Sequence, residues 1–173
     1  EMALRRSRYY PRAARSGIAG GMSWLEWVFA HATVRFEIEP RQNDLEIRYS
    51  YRAMGVKELR LAMPLVVWNS AIAHADGSPL PRRARPVAFP LQKKQVIVET
   101  PIFGTRAILS LPAAGKAVIQ WPLEPLRTYG KLFPRERFDS FFRMALVETV
   151  IANPGKQGAG CWRLKVEPVQ LAR

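Results

Sequence analysis

Two stretches decide the fold: residues 33–39, Thr-Val-Arg-Phe-Glu-Ile-Glu, and residues 45–52, Leu-Glu-Ile-Arg-Tyr-Ser-Tyr-Arg. In the first, Val34, Phe36 and Ile38 alternate with Arg35, Glu37 and Glu39. In the second, Leu45, Ile47, Tyr49 and Tyr51 alternate with Glu46, Arg48, Ser50 and Arg52. A period of two sends successive side chains to opposite faces of a strand, so each stretch presents one apolar and one polar face. The polar residues 40–44 between them supply a turn, and the pair predicts an antiparallel hairpin.

The same alternation recurs outward from this hairpin. Residues 58–63 read Glu-Leu-Arg-Leu-Ala-Met before Pro64, and residues 66–68 extend toward a further short strand. Strands are predicted again at 95–99, 106–111 and 117–121, and a closing strand sets Trp162, Leu164 and Val166 against Arg163, Lys165 and Glu167. Turn residues separate them, notably Asp76-Gly77-Ser78-Pro79 and Ala113-Ala114-Gly115, while the proline-rich residues 80–90 read as an exposed loop. One helix is expected at 136–152, where Phe138, Phe141, Phe142, Ala145 and Thr149 follow a helical stripe and Asn153-Pro154-Gly155 ends it.

Short strands at this spacing argue for a mainly β fold rather than alternating β and α units. Residues 45–64, a strand, a glycine turn and a second strand leading into a longer loop, resemble the first strands of immunoglobulin-like domains. The expected architecture is thus an antiparallel β-sandwich, immunoglobulin-like, with one helix near the C-terminus. That likeness concerns architecture and carries no function.

A chain of 173 residues suits one hydrophobic core. Residues 33–173 are expected to form the sandwich, and residues 1–32 a basic arm and an apolar leader. The run Trp24-Leu25-Glu26-Trp27-Val28-Phe29-Ala30, after a basic flank and before Ala30-His31-Ala32, imitates a secretory signal with a small-residue cleavage site. Glu26 and the glycines at 17, 20 and 21 interrupt the imitation, and the run is too short and too charged to be a transmembrane segment.

Charge is the outlier of composition: 27 Lys and Arg against 14 Asp and Glu give a formal +13 and a pI near 10.7. Such a field attracts polyanions, RNA and DNA among them, and is silent about fold. Candidate polyanion-binding residues fall in clusters. The arm contributes Arg5, Arg6, Arg8, Arg12 and Arg15, the proline-rich loop Arg82, Arg83 and Arg85, and the next turn Lys93 and Lys94. Arg127, Lys131, Arg135 and Arg137 interleave with Tyr129 and Phe133, and Lys156 sits in the glycine-rich segment 155–160. Cations neutralise phosphates and aromatics stack on bases. The glycine-rich segment reads as a flexible connection or a phosphate-contacting loop; it is no Walker motif, because no Ser or Thr follows the lysine.

No catalytic or metal constellation stands out. One cysteine excludes an internal disulfide, and Cys161 with His31 and His74 cannot make a usual four-ligand zinc site. No cofactor is implied. Cys161 reads as a packed, inert thiol, and Glu37, Glu39, Glu46 and Glu58 as partners of Arg35, Arg48 and Arg60 on polar strand faces. The expected function is a non-enzymatic assembly component that contacts nucleic acid or another polyanion, with protein partners in a larger assembly. The alternative is an exported or envelope-associated β-sandwich adaptor.

Overall fold

The computed structural model describes residues 11–68, 70–81, 87–123 and 142–169, the side chains of Leu123 and Phe142 excepted. Among the described residues thirteen strands follow one another: β1 (Ala13–Ala19), β2 (Met22–Val28), β3 (Ala32–Pro40), β4 (Asp44–Ala53), β5 (Glu58–Trp68), β6 (Ile72–Ala75), β7 (Ser78–Pro79), β8 (Val87–Leu91), β9 (Gln95–Thr100), β10 (Thr105–Ser110), β11 (Lys116–Leu123), β12 (Phe142–Ala152) and β13 (Gln157–Pro168). A 3-10 turn, Pro101–Phe103, joins β9 to β10. Among the described residues no helix is long and apolar enough to cross a membrane.

The strands form a nine-stranded sheet in the order β1-β2-β3-β4-β13-β10-β9-β6-β7 and a four-stranded sheet in the order β5-β12-β11-β8. Every pairing among them is antiparallel. The hairpin read from alternation is β3–β4, with Val34 opposite Tyr51 and Phe36 opposite Tyr49. Mainly β, antiparallel and sandwiched, the architecture has the expected class. It exceeds the immunoglobulin plan, whose two sheets together hold about seven to nine strands.

The core lies between the sheets. Val34, Tyr49, Tyr51, Trp162, Leu109 and Val96 come from the larger sheet, and Leu61, Val67, Val147, Ile119 and Trp121 from the smaller. Fully burying one such large aliphatic side chain is worth about 1.5–3 kcal/mol, which explains the alternation along β3 and β4. One hydrogen bond ties the two layers: Trp162 Nε1 donates to Thr149 Oγ1 at 2.9 Å, both side chains being buried.

The expected helix at 136–152 is corrected. Residues 142–152 are β12, an internal strand paired with β5 on one side and β11 on the other. Val147, Thr149, Val150 and Ile151 are β-branched and fit a pleated strand better than a helix, and two neighbouring strands pair with the backbone over residues 146–150. Residues 136–141 lie outside the described residues.

Residues 13–28, read from sequence as the end of the arm and the apolar leader, form the hairpin β1–β2, and β2 pairs with β3 in the main sheet. Four of the six residues of the glycine-rich segment are also strand: β13 starts at Gln157, with Gly158 opposite Tyr51 and Gly160 opposite Tyr49. A Cβ at 158 or 160 would stand 2.3 Å from the hydroxyl of Tyr51 or Tyr49. These glycines therefore make room for two tyrosine rings laid across the neighbouring strand.

Candidate functional site

The alternation that buries one face of the nine-stranded sheet turns a polar face outward. On it, charged side chains form a lattice. Arg35 Nε donates to Glu37 Oε1 at 3.0 Å, Arg48 pairs with Glu39 and with Glu46 at 3.1 Å, and Arg41 lies 3.5 Å from both of those carboxylates. Arg163 reaches Glu46 at 3.3 Å, Lys165 reaches Glu167 at 3.1 Å, and Arg106 links Glu167 at 2.5 Å to Glu99 at 3.9 Å. His74 Nε2 lies 3.6 Å from Glu99. Two of these pairs, Arg35 with Glu37 and Arg48 with Glu46, sit two residues apart in one strand, as Arg60 and Glu58 do at 2.6 Å on β5 of the smaller sheet.

The lattice sets its own acidities. Burial raises the carboxyl of Glu46, but Arg163, Arg41 and Arg48 outweigh that and hold it below the usual range. Hydrogen bonds from Arg106 and Lys165 lower Glu167 likewise. Cys161 shares this face, and burial together with the nearby Glu46 pushes its thiol up. A raised thiol is a poor nucleophile. His74 is on β6, three strand spacings from β13, or about 14 Å, and His31 lines a different cavity, so neither activates Cys161.

At one end of the outward face the lattice opens into a groove of about 740 Å³. Its floor and walls come from four neighbouring strands: Glu26 of β2, Thr33 and Arg35 of β3, Ser50, Tyr51 and Arg52 of β4, and Gly158 and Ala159 of β13 with Gln157 at its start. Register brings them together. Glu26 stands opposite Arg35, which stands opposite Ser50; Thr33 stands opposite Arg52, which stands opposite Gln157. The guanidinium of Arg35 lies 4.7 Å above the Trp24 ring, a cation–π stack that holds the head in place. Two planar forks, an amide, two hydroxyls and one carboxylate on neighbouring strands thus set several hydrogen-bond donors and acceptors side by side.

A second cavity, about 520 Å³, opens on the inner side where β2 meets the start of β5. Trp27, Phe29, Val34, Phe36, Val56, Leu59 and Leu61 line it, with His31, Glu58 and Arg60 among them. Its walls are predominantly apolar.

Of the basic residues singled out from sequence, the structure describes Arg12, Arg15, Lys93, Lys94 and Lys156. Arg5, Arg6, Arg8, Arg82, Arg83, Arg85, Arg127, Lys131, Arg135 and Arg137 lie outside the described residues. Arg15 is on β1 opposite Glu26, a lining residue of the first groove. Lys93 and Lys94 precede β9, six strand spacings from β1, or about 29 Å. Lys94 closes a loop through Nζ to the carbonyls of Ala113 and Gly115, the latter at 2.9 Å, and the amide of Lys93 donates to Asp76 Oδ1 at 3.0 Å. Lys156 sits in the β12–β13 turn, its carbonyl accepting from the Ala53 amide at 2.9 Å. The described cations thus do not converge on one surface. Among the described residues no group of three or more His, Cys, Asp or Glu is placed to hold a metal ion.

Sequence reasoning placed Arg35, Ser50 and Arg52 on one polar face but not Glu26 or Gln157 beside them. The signal available was the alternation in β2 and β13; which strands they would join was not encoded locally.

No protein-family model matches the chain, and no curated protein matches it by sequence. Solved structures do share its fold. A candidate aldose 1-epimerase from Escherichia coli K12 is 14% identical, with 90% of this chain matching 69% of that one at a TM-score of 0.55. A candidate mutarotase, YeaD from Salmonella typhimurium, is 11% identical, with 91% matching 64% at a TM-score of 0.53. A mutant of the heparan sulfate lyase HepC from Pedobacter heparinus is 11% identical over 92% of this chain and 22% of that one, at a TM-score of 0.52. The chain thus has an aldose-epimerase-like β-sandwich fold and spans about two thirds of the length of the first two. At such identities the likeness is one of fold.

This finding overturns the expectation of a non-enzymatic assembly component binding nucleic acid or another polyanion, and of an adaptor as its alternative. The fold is shared with candidate epimerases and mutarotases, an enzyme-like fold. Net charge misled because it is a property of the surface, attracting anions whatever the scaffold beneath.

Proposed function

We propose that this chain is a saccharide-binding β-sandwich of the aldose 1-epimerase type, with its sugar site in the groove of Glu26, Arg35, Ser50, Arg52 and Gln157. The observation that carries the reading is the groove itself, which gathers hydrogen-bonding side chains from four adjacent strands in a space of about 740 Å³, ample for one or two sugar rings. The fold's occurrence in a candidate epimerase and a candidate mutarotase supports the same reading.

The chemistry follows from the lining groups. Glu26 is the one carboxylate among them. It takes the proton from the anomeric hydroxyl as the C1–O5 bond breaks and the C1 carbonyl forms, while the ring oxygen gains a proton from water. Arg35 and Arg52 offset the charge that develops on that oxygen. Rotation about C1–C2 and reclosure on the other carbonyl face, with Glu26 returning its proton to O1 and the ring hydroxyl's proton going back to water, gives the other anomer.

Two measurements test this. Titration with D-glucose and D-galactose, followed by amide chemical shifts, should move signals of β2, β3, β4 and β13. Polarimetry of freshly dissolved α-D-glucose should show accelerated mutarotation that Glu26→Gln reduces by about 100-fold, the lower range for loss of a positioned base. Absence of binding by any aldose at tens of millimolar sugar would remove the reading.

A further inference from the structure

The ion-pair lattice on the outward face of the nine-stranded sheet is close to complete. Arg35, Arg41, Arg48, Arg106, Arg163 and Lys165 each have a carboxylate within 4 Å. Arg52 has none among the described residues, and neither has Arg15, although Glu26 stands opposite it in register. Both unmatched guanidiniums border the same groove, Arg52 on its floor and Arg15 beside Glu26. Glu37 already engages Arg35, and Glu26, the one carboxylate lining the groove, stands opposite both Arg15 and Arg35 in register. A neutral ligand would leave that imbalance untouched.

From this we infer that the groove takes an acidic saccharide, one whose ring carries a carboxylate, with Arg52 as the group that recognises it. Arg52 is exposed, flanked by Thr33 and Gln157 in register, and free to present its planar fork to two carboxylate oxygens. Arg15 adds a second positive charge from the edge strand. The preference operates at the sugar site proposed above and rests on that reading. It would set the kind of sugar accepted, not the scaffold.

The decisive comparison is calorimetric titration of the whole chain with D-glucuronate and D-glucose, two rings that differ at C6. Glucuronate should bind about tenfold more tightly at low salt, the worth of one or two exposed charge pairs. That ratio should shrink as salt rises, because exposed pairs are screened. Arg52→Gln should bring the ratio to near one, and Arg52→Lys, which keeps the charge but loses the fork, should restore part of it. Unchanged melting temperatures confirm that both variants are folded. Equal affinity of the wild-type chain for the two sugars overturns the inference while leaving the saccharide site standing. Binding of neither sugar overturns both. Retention of the preference in Arg52→Gln removes Arg52 as its source.

Discussion

Replacing Gly160 by alanine tests the packing on which the larger sheet depends. The added Cβ would lie 2.3 Å from Tyr49 Oη, 2.5 Å from Cζ and 2.9 Å from Cε1. Tyr49 cannot swing clear: it is 2% exposed and its ring packs 5.4 Å from that of Trp162, which is itself 3% exposed. The strain must pass into β4 and β13 or into the core. Overpacking of this kind costs about 1–3 kcal/mol. For a chain of this size each kcal/mol moves the melting temperature by roughly 2–4 °C, so Gly160→Ala should melt about 2–12 °C lower than wild type. Thermal denaturation followed by near-ultraviolet circular dichroism reads it, because Tyr49 and Trp162 both lie at the perturbed spot. A second substitution, Tyr49→Leu, shortens the ring that clashes and should make the double variant more stable than the sum of the two single losses by about 1 kcal/mol. A melting temperature for Gly160→Ala within about 1 °C of wild type, well under the loss expected of overpacking, would refute the claim that these glycines exist to seat the tyrosines.

The two tyrosines differ in a way that urea titration can detect. Tyr49 Oη is buried with no hydrogen-bond partner, so Tyr49→Phe should be neutral or stabilising, whereas Tyr51 donates to the Pro154 carbonyl at 2.9 Å and Tyr51→Phe should cost about 0.5–1.5 kcal/mol. Burial pushes the Tyr49 hydroxyl up to about 12, so the folded state keeps that proton longer than the unfolded chain; stability is fully held below pH 10 and falls between pH 10 and 12, a decline that Tyr49→Phe should lessen. Thr149→Val removes the acceptor of the Trp162 indole at a site 1% exposed and strands a buried donor, so it should destabilise by about 1–3 kcal/mol, measured the same way; a change near zero would mean that the inter-sheet bond contributes nothing.

Much of this architecture was legible from residues alone. The hairpin β3–β4, the strands β5, β9, β10 and β11, and the closing strand β13 all announce themselves by alternation, because a strand half buried between two environments must change polarity at every step. β12 did not. Phe138, Phe141 and Phe142 happen to fall at helical spacing in the sequence, and within β12 Leu146, Glu148 and Val150 hide the period, Glu148 and Val150 being buried on the face opposite Val147 and Thr149. Glu148 is buried there with partners from both neighbouring strands: Gln120 Nε2 of β11 donates to it at 2.9 Å, and Arg60 of β5 lies 3.7 Å away. The leader segment hid its strand for a related reason: Trp24, Leu25 and Trp27 are large on both faces, and one of them serves as a platform for Arg35.

What the residues determined by themselves was the layering. Alternating apolar and charged side chains commit those segments to a sandwich, and each carboxylate within two residues of an arginine has its partner written beside it. Only tertiary structure decided the groove, since Glu26, Arg35, Arg52 and Gln157 come from strands separated by up to 131 positions in sequence and meet through the order of strands across the sheet. That order rests on backbone pairing and on how the two sheets pack on their common core, interactions no local pattern encodes. The same ordering keeps Lys93 and Lys94 far from Arg15, so these three described cations, alike in sequence, stand apart on the sheet.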